Sequence, residues 1–386
     1  MKYSRRLDSL PQYPFAKLDS ILREKKARGV DLISFGIGDP DLPPPDFVNE
    51  ELRQALKTPG SHNYPSSEGE SFFRKAVAEW YRRRFNVELN PDTEVCALIG
   101  SKEGIANVIR AFVNPGEQVL TPNPSYPVYE HGAALLNEAH PRSFNLRDTE
   151  GFRPNLENIA KEDFKFLFLN YPNNPTSAVV DKDFLQQVSR LADEKGALIC
   201  YDNAYSELTF KGYKAPSILQ VPGGMDVAIE FHSCSKTFSM AGYRIGFAAG
   251  NPEIIKGLKA IKSQVDSGPP KFIQQAAARA LLSYVNSNPP KEVLDRLSVY
   301  ERRFMILTNG LKEIGYNASM PLGTFYLWVN VGENSQSFAS KLLERDVVVT
   351  PGTAFGSEGD GYVRFSLTVP DISIEEALVR MRDALG

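Results

Sequence analysis

The sequence has few cysteines, no strong excess of either charge and no long apolar run. Cys96, Cys200 and Cys234 are the only cysteines among 386 residues and form no Cys-x-x-Cys pair, which argues against a disulfide framework or a metal site such as zinc and fits a reducing compartment. With 44 basic and 47 acidic residues, the chain lacks the basic excess typical of proteins that bind nucleic acid or anionic membranes. No window approaches the roughly 20 apolar residues that cross a bilayer, and residues 1–10 lack the apolar stretch of a secretory signal. We therefore expect a soluble, cytoplasmic protein with neither nucleic-acid nor membrane partners.

The composition that remains is that of an ordinary globular chain. Hydrophobic residues make up 42% and charged residues 24%, which excludes disordered, collagen-like and coiled-coil classes. At roughly 100–200 residues per domain, the length predicts two or three domains, or one large domain with a smaller one.

Short apolar runs alternate with amphipathic helical patterns through the middle of the chain. The helical patterns include residues 105–113 and 184–194. The apolar runs are residues 95–99, 118–121, 166–169, 197–201, 227–231 and 245–249. This alternation predicts an α/β fold with a mostly parallel sheet between two layers of helices. Ligands bind such sheets beyond the carboxyl ends of the strands.

The C-terminal part has a different pattern, which predicts a second, smaller α/β unit. Strands are expected at residues 324–331, 347–350 and 362–367, and helices at 338–344 and 374–384. We predict an N-terminal arm and small-domain segment at 1–45, a large cofactor-binding domain at 46–285 and a small domain at 286–386.

The strongest motif places a lysine after an apolar strand. It reads Ser233-Cys234-Ser235-Lys236-Thr237, and Arg244 follows eight residues after the lysine inside a turn bracketed by glycines. A lysine there can form an imine with an aldehyde cofactor, while Ser233, Ser235 and Arg244 can hold the phosphate of that cofactor. A surface lysine on a polar loop is the alternative, and the spacing of Arg244 argues against it.

Three further segments place polar residues at strand ends. Asn174 belongs to a proline-stiffened turn after residues 166–169, and Asp202 directly follows 197–201. The carboxylate of Asp202 can pair with a protonated ring nitrogen, although it can also cap the next segment. Ser101 and Lys102 follow Gly100 at the start of a helix, which is a ready anion site or an ordinary turn. The last segment is not a phosphate loop of the Walker type, because its glycine spacing differs.

Together and in this order, these segments resemble the fold type I pyridoxal-phosphate enzymes, specifically the class I and II aminotransferases. The resemblance covers nearly the whole chain. Within that family, residues 10–19, 36–43 and 265–268 resemble the LL-diaminopimelate aminotransferase branch. The resemblance implies pyridoxal 5′-phosphate as cofactor, amino-acid and 2-oxo-acid substrates, with 2-oxoglutarate and glutamate as one pair, and a homodimer with shared active sites.

The resemblance also implies a role for each site residue. Lys236 would bind the cofactor covalently and then move the proton, and Asp202 would pair with the pyridine nitrogen. Asn174 and Tyr205 would donate to the 3′-oxygen of the ring, and Tyr126 would stack on it. The phosphate would be bound by Ser101, Lys102, Ser233, Ser235, Arg244 and, from the neighbouring subunit, Tyr64. The substrate would be bound by Arg364 at its α-carboxylate, by Asn174, by the backbone of Gly38, and by Tyr13 as an aromatic lid.

Two positions depart from the family pattern. Ser67 stands where LL-diaminopimelate enzymes place an acidic residue, and Glu68 follows it. Glu68 or Asp266 could then pair with the distal ammonium of the substrate. Ser177 stands where the family has glycine. The family also predicts cis peptides at Asn123–Pro124 and Asn174–Pro175.

Other functions remain as alternatives. An aspartate, alanine or aromatic aminotransferase would share most of the site, and so would a pyridoxal-phosphate-dependent lyase or synthase. A dehydrogenase would need a dinucleotide loop at residues 36–41, where the third small residue is missing and prolines oppose the following helix. A DNA-binding regulator on this fold would need an added domain, for which the sequence leaves no room.

Overall fold

The structure is a computed structural model that describes residues 2–12 and 14–385. Its strands are β1 (Ile33–Ser34), β2 (Val95–Leu98), β3 (Gln118–Asn123), β4 (His140–Asn145), β5 (Phe166–Asn170), β6 (Leu198–Asp202), β7 (Ala228–Ser233), β8 (Gly246–Gly250), β9 (Tyr326–Asn330), β10 (Val347–Val348), β11 (Thr350–Pro351) and β12 (Tyr362–Ser366). Its α-helices are α1 (Arg5–Asp8), α2 (Pro14–Ala27), α3 (Asp46–Ala55), α4 (Ser71–Phe85), α5 (Ser101–Phe112), α6 (Leu156–Ile159), α7 (Lys182–Lys195), α8 (Gly224–Val227), α9 (Cys234–Thr237), α10 (Pro252–Lys262), α11 (Lys271–Leu281), α12 (Lys291–Glu313), α13 (Ser335–Leu343) and α14 (Asp371–Leu385).

Among the described residues, seven strands form the central sheet in the order β2-β8-β7-β6-β5-β3-β4. Only β8 runs antiparallel to its neighbours, β2 and β7, so the predicted mostly parallel sheet is confirmed. All six apolar runs of the sequence are strands. The edge strand β4 was not predicted, because its residues are polar and largely exposed and it pairs with β3 alone.

Both faces of this sheet are buried, because successive side chains of each strand point to opposite sides. On β5, Leu167 and Leu169 join the core that includes α4, α7 and α11, while Phe166 and Phe168 join the core that includes α5 and α10. A strand that is buried on both faces selects apolar residues at every position. This is why these strands were visible in the sequence as continuous runs.

A separate core fills the C-terminal part. The antiparallel sheet β11-β12-β9 packs with α12, α13 and α14, and residues Ile33 and Phe35 from the N-terminal part join the same core. The strands predicted at 324–331, 347–350 and 362–367 are present. The domain boundaries at residues 45 and 285 remain predictions, as does a cytoplasmic location. Within the described chain, we find no helix with the length and apolar character to cross a bilayer.

Candidate active site

The carboxyl ends of three neighbouring parallel strands open into one cavity. Strand β5 ends at Asn170, β6 at Asp202 and β7 at Ser233, and Asn170 is the register partner of Asp202. The cavity has a volume of about 310 Å³, within the usual size range of small-molecule sites. It is lined by Ile37, Gly38, Gly100, Ser101, Lys102, Tyr126, Tyr129, Asn170, Asn174, Asp202, Ala204, Tyr205, Ser233, Ser235, Lys236, Ala241, Arg244, Tyr326 and Arg364.

Most of the residues predicted for the site line this cavity together. They are Gly38, Ser101, Lys102, Tyr126, Asn174, Asp202, Tyr205, Ser233, Ser235, Lys236, Arg244 and Arg364. Tyr64 does not line it; its side chain is 87% exposed. Tyr13 lies outside the described residues. The peptides Asn123–Pro124 and Asn174–Pro175 are cis as predicted, and Tyr171–Pro172 is cis as well.

Lys236 lies on the short helix α9, directly after β7. Its Nζ donates a hydrogen bond of 2.8 Å to the carbonyl oxygen of Gly38. The same atom is 5.4 Å from the centre of the Phe325 ring. The amine therefore reaches across the cavity to the segment that precedes α3, with an aromatic ring beside it.

Asp202 is a buried carboxylate with a defined partner. The hydroxyl of Tyr129 donates to Asp202 Oδ2 at 2.7 Å, and the amide of Ala204 donates to Oδ1 at 3.3 Å. Burial raises the pKa of Asp202 to about 6, against the opposing effect of the Tyr129 hydrogen bond. The charged form of a buried carboxylate is stabilised by a cationic partner, such as a protonated ring nitrogen, because the cation offsets the hydration that burial removes.

The N-terminus of α5 lies at the cavity, whose lining also includes serine hydroxyls, Lys102 and Arg244. Ser101 is the first residue of this twelve-residue helix. Gly100 precedes it with a φ of +79°, and a Cβ at Gly100 would lie 2.4 Å from a guanidinium nitrogen of Arg244. The guanidinium therefore occupies space that glycine leaves open. Free helix N–H groups, serine hydroxyls and an arginine together form a donor set suited to a phosphate.

Arg364 lies on β12 and is only 2% exposed. It donates to Asn174 Oδ1 at 2.7 Å and to the carbonyl oxygen of Gly36 at 2.9 Å. Its guanidinium carbon lies 4.1 Å from the Tyr326 ring centre and 4.7 Å from that of Phe355. A planar guanidinium held in this way matches the geometry of a carboxylate.

Sequence reasoning missed several residues of the site, above all Tyr129, Asn170 and Tyr326. Asn170 donates to the carbonyl oxygen of Asp202 at 2.8 Å and accepts from the amide of Asn174 at 2.7 Å, so it fixes two predicted site residues. Its place as the last residue of β5 was a usable signal. Tyr129 and Tyr326 carried no signal, because an aromatic residue in an apolar context is more often part of the core.

The acids suggested for a distal ammonium are engaged elsewhere. Glu68 pairs with Lys259 at 2.9 Å and with Arg74 at 3.4 Å. Asp266 pairs with the buried Lys262 at 2.7 Å. Neither acid lines the cavity.

The departure at Ser177 has a structural consequence. Ser177 has a φ of +60°, in the left-handed region where glycine is favoured. Its Oγ lies 2.7 Å from Thr324 Oγ1 and donates to the carbonyl oxygen of Tyr326 at 2.8 Å. The serine side chain thus ties the Asn174 turn to the start of β9.

One protein family and its curated relatives match this chain over nearly its whole length. The model of the family described as aminotransferase class I and II matches residues 30–381. LL-diaminopimelate aminotransferase from Desulforudis audaxviator is 46% identical over 389 residues, which cover 99% of this chain and 98% of that protein. The enzyme of the same name from Aquifex aeolicus is also 46% identical, with 99% of each chain covered.

Solved structures of related proteins also superpose on nearly the whole chain. Substrate-bound BacF from Bacillus subtilis superposes with a TM-score of 0.92 at 34% identity, covering 99% of this chain and 98% of that one. Aspartate aminotransferase from Thermus thermophilus with maleate superposes with a TM-score of 0.92 at 30% identity and full coverage of both chains.

Proposed function

The chain belongs to the class I and II aminotransferases, and we propose that it works with pyridoxal 5′-phosphate bound to Lys236. The observation that carries this proposal is the convergence of a lysine amine, a buried carboxylate and a phosphate-type donor set in one cavity. The donor set fits the cofactor: Arg244 fills the space beside Gly100, and Asp202 is buried with one oxygen held by Tyr129. When bound, this cofactor supplies an aldehyde that takes up an amino group and a ring that accepts electrons.

Three residues of the site then have defined roles. Arg364 binds the α-carboxylate of the substrate, and Asp202 holds the proton on the ring nitrogen. Lys236 Nζ moves the proton at the substrate's α-carbon, a role for which it must lie within hydrogen-bond reach. Over a full cycle the amino donor leaves as its 2-oxo acid and the 2-oxo-acid acceptor leaves as an amino acid, so the exchange needs no external oxidant or reductant.

We propose LL-diaminopimelate as the amino donor and 2-oxoglutarate as the acceptor. The relatives named above support this choice, because they match this chain end to end. Within the described lining, Asp202 is the sole carboxylate. A distal ammonium therefore needs an acid from outside the cavity of a single subunit. A neighbouring subunit that contributes Tyr64 would also bring Glu68, whose side chain pairs with Arg74 and Lys259 in its own subunit but is still 37% exposed.

A donor panel tests this substrate. In single-turnover experiments, LL-diaminopimelate should convert the bound cofactor at least about 10-fold faster than alanine or aspartate at equal concentration. These two donors lack a distal ammonium and leave the acid proposed to bind it without a partner, and an unpaired buried charge costs several kcal/mol. Rapid-mixing absorbance gives the rates. Arg364→Lys is the control: every donor has an α-carboxylate, so this variant should slow all of them by a similar factor.

Equal rates for alanine, aspartate and LL-diaminopimelate would refute LL-diaminopimelate as the preferred donor but would not contradict the aminotransferase activity. The aspartate enzyme of T. thermophilus with maleate makes aspartate the main alternative. A lyase or synthase on this fold would instead yield a product other than the 2-oxo acid of the donor.

We also propose a homodimer whose subunits share active sites. The side chain of Tyr64 is 87% exposed, and Val265 and Phe72 are 53% and 41% exposed. We infer that these side chains lie at the subunit interface, where exposed apolar groups become buried. A tyrosine that stays outside its own cavity is free to reach the phosphate of a second subunit.

Hybrid dimers test this arrangement. A hybrid of a Tyr64→Phe subunit and a Lys236→Ala subunit has a single site with a lysine. If Tyr64 crosses the interface, that site keeps its tyrosine and binds the cofactor about 10-fold more tightly than the Tyr64→Phe homodimer, as expected for a hydrogen bond to a charged group. Cofactor titration of isolated hybrids measures this difference. A hybrid as weak as the Tyr64→Phe homodimer would mean that each subunit supplies its own tyrosine.

A further inference from the structure

Tyr326 contacts both halves of the proposed site. It is the first residue of β9, is 3% exposed and lines the cavity. Its hydroxyl lies 3.0 Å from the hydroxyl of Tyr205, and its ring lies 4.1 Å from the guanidinium carbon of Arg364. One side chain thus touches the residue assigned to the cofactor ring and the residue assigned to the substrate carboxylate.

The ring of Tyr326 is one of two aromatic rings close to the guanidinium of Arg364. Phe355 lies on the same guanidinium at 4.7 Å, so Arg364 contacts two rings while it donates to Asn174 and Gly36. Cation–π contacts are strongest when the cation is desolvated, as Arg364 is at 2% exposure. The two ring contacts and the two hydrogen bonds together restrict the guanidinium and therefore the direction in which it can meet a carboxylate.

The backbone of Tyr326 is held from two sides. Its amide donates to Thr324 Oγ1 at 3.0 Å, and its carbonyl oxygen accepts from Ser177 Oγ at 2.8 Å. A Cβ on Gly38 would lie 2.1 Å from the Tyr326 hydroxyl oxygen, so the glycine lets the chain pass directly over this hydroxyl. The carbonyl of the same glycine accepts the hydrogen bond of Lys236.

We propose that Tyr326 is a positioning residue that aligns the cofactor contact of Tyr205 with the carboxylate contact of Arg364. This rests on the proposed function, which assigns those two contacts. A phenol has one proton to donate. If Tyr205 donates its proton to the ring oxygen of the cofactor, the Tyr326 hydroxyl is the donor in the Tyr205–Tyr326 pair. That donation makes Tyr205 a stronger hydrogen-bond donor, because linked hydrogen bonds polarise one another.

Two substitutions separate the hydroxyl from the ring. Tyr326→Phe keeps the ring beside Arg364 and removes only the hydroxyl. We expect the midpoint of the pH titration of bound-cofactor absorbance to rise by about 0.3–1 pH unit, since a weaker Tyr205 donor stabilises less negative charge on the ring oxygen. The KM for amino donors should stay within about 2-fold of wild type, because the cation–π contact remains.

Tyr326→Leu removes the ring as well. The KM for amino donors should rise about 3- to 30-fold, the range expected for a desolvated cation–π contact, while the absorbance midpoint shifts as in the phenylalanine variant. Tyr362→Phe is the matched control. Tyr362 lies on the adjacent strand β12, and its hydroxyl donates to Asp148 at 2.9 Å, outside the cavity.

The outcomes separate this proposal from the function on which it rests. A wild-type protein that binds no pyridoxal phosphate at Lys236 overturns the function itself. A wild-type protein that transaminates, with both Tyr326 variants equal to Tyr362→Phe in midpoint and KM, overturns the positioning role alone. Circular dichroism checks folding, and if the leucine variant is unfolded, the midpoint of the phenylalanine variant decides.

Discussion

Replacing Lys236 by alanine should lower the rate of transamination by at least about 1000-fold, because we propose that this one side chain supplies both the covalent attachment and the base. The Nζ of Lys236 lies in the cavity with Asp202, Ser233 and Arg364, and no other lysine than Lys102 is in the described lining. Lys102 is on α5, at the end of the cavity assigned to the phosphate. We therefore expect Lys102 not to replace Lys236 in the proton transfer.

The covalent attachment can be measured without activity. Borohydride reduction of the wild-type holoenzyme followed by peptide mass spectrometry should place a pyridoxyl label on Lys236. Lys256→Ala serves as control, since Lys256 is an exposed residue of α10 paired with Glu253 at 3.2 Å, and this variant should keep both label and rate. A label on another lysine, or no label, would refute the assignment of the cavity as a pyridoxal-phosphate site.

Replacing Asp202 by asparagine should have two opposite effects. It should lower the transamination rate by at least about 100-fold, because a buried cation that loses its charged partner is penalised by about 3–5 kcal/mol. The same substitution should stabilise the cofactor-free protein at neutral pH, because it removes a carboxylate that burial disfavours. Asparagine keeps one acceptor oxygen, which can still receive the Tyr129 hydroxyl, while its NH2 group replaces the oxygen that accepts the 3.3 Å hydrogen bond from Ala204.

The stabilisation depends on pH in a defined direction. The pKa of Asp202 is raised in the folded protein from 3.8 to about 6, which at about 1.36 kcal/mol per pKa unit corresponds to roughly 3 kcal/mol. A raised pKa favours the fold when the group is protonated, so this contribution is complete below about pH 4 and is lost as the pH rises through about 6. Asp202→Asn should therefore match the wild type near pH 4 and exceed it by up to about 3 kcal/mol above pH 7.

Denaturant unfolding of the cofactor-free proteins between pH 4 and 8 measures this difference. Asp193→Asn on α7 is the control, because Asp193 is exposed and should leave the pH dependence of the free energy of unfolding unchanged. A pH-independent difference between Asp202→Asn and wild type would show that the carboxylate carries no burial penalty. If added pyridoxal phosphate makes the wild type more stable than Asp202→Asn, this reversal would link the burial penalty of the carboxylate to its missing partner, the ring nitrogen.

The strand-end residues of the site could be predicted because the strands of a buried parallel sheet appear in the sequence as continuous apolar runs. Asn174, Asp202 and Ser233 follow apolar runs that are buried on both faces, and the carboxyl ends of adjacent parallel strands open at one edge. Lys236 and Arg244 were found by their spacing and their glycines. The carboxylate arginine, Arg364, was assigned only through the family resemblance, since nothing local distinguishes it from other arginines on strands.

Tyr129 and Tyr326 could not be predicted, because their roles depend on contacts between segments far apart in the sequence. Tyr129 reaches Asp202 across 73 positions, and Tyr326 reaches Tyr205 across 121. An isolated tyrosine in an apolar run reads as core packing. Its hydroxyl gains a function only when the fold brings a second polar group to it.

The sequence by itself determined the α/β class, the strands of the central sheet and the set of polar residues at their carboxyl ends, because burial and strand periodicity are local properties of the chain. The tertiary structure decided which residues meet. It placed Arg364 close to two rings, tied Glu68 and Asp266 into ion pairs outside the cavity, and left Tyr64 exposed to solvent. These outcomes depend on the distance and direction between distant segments, which only the packing of the whole chain sets.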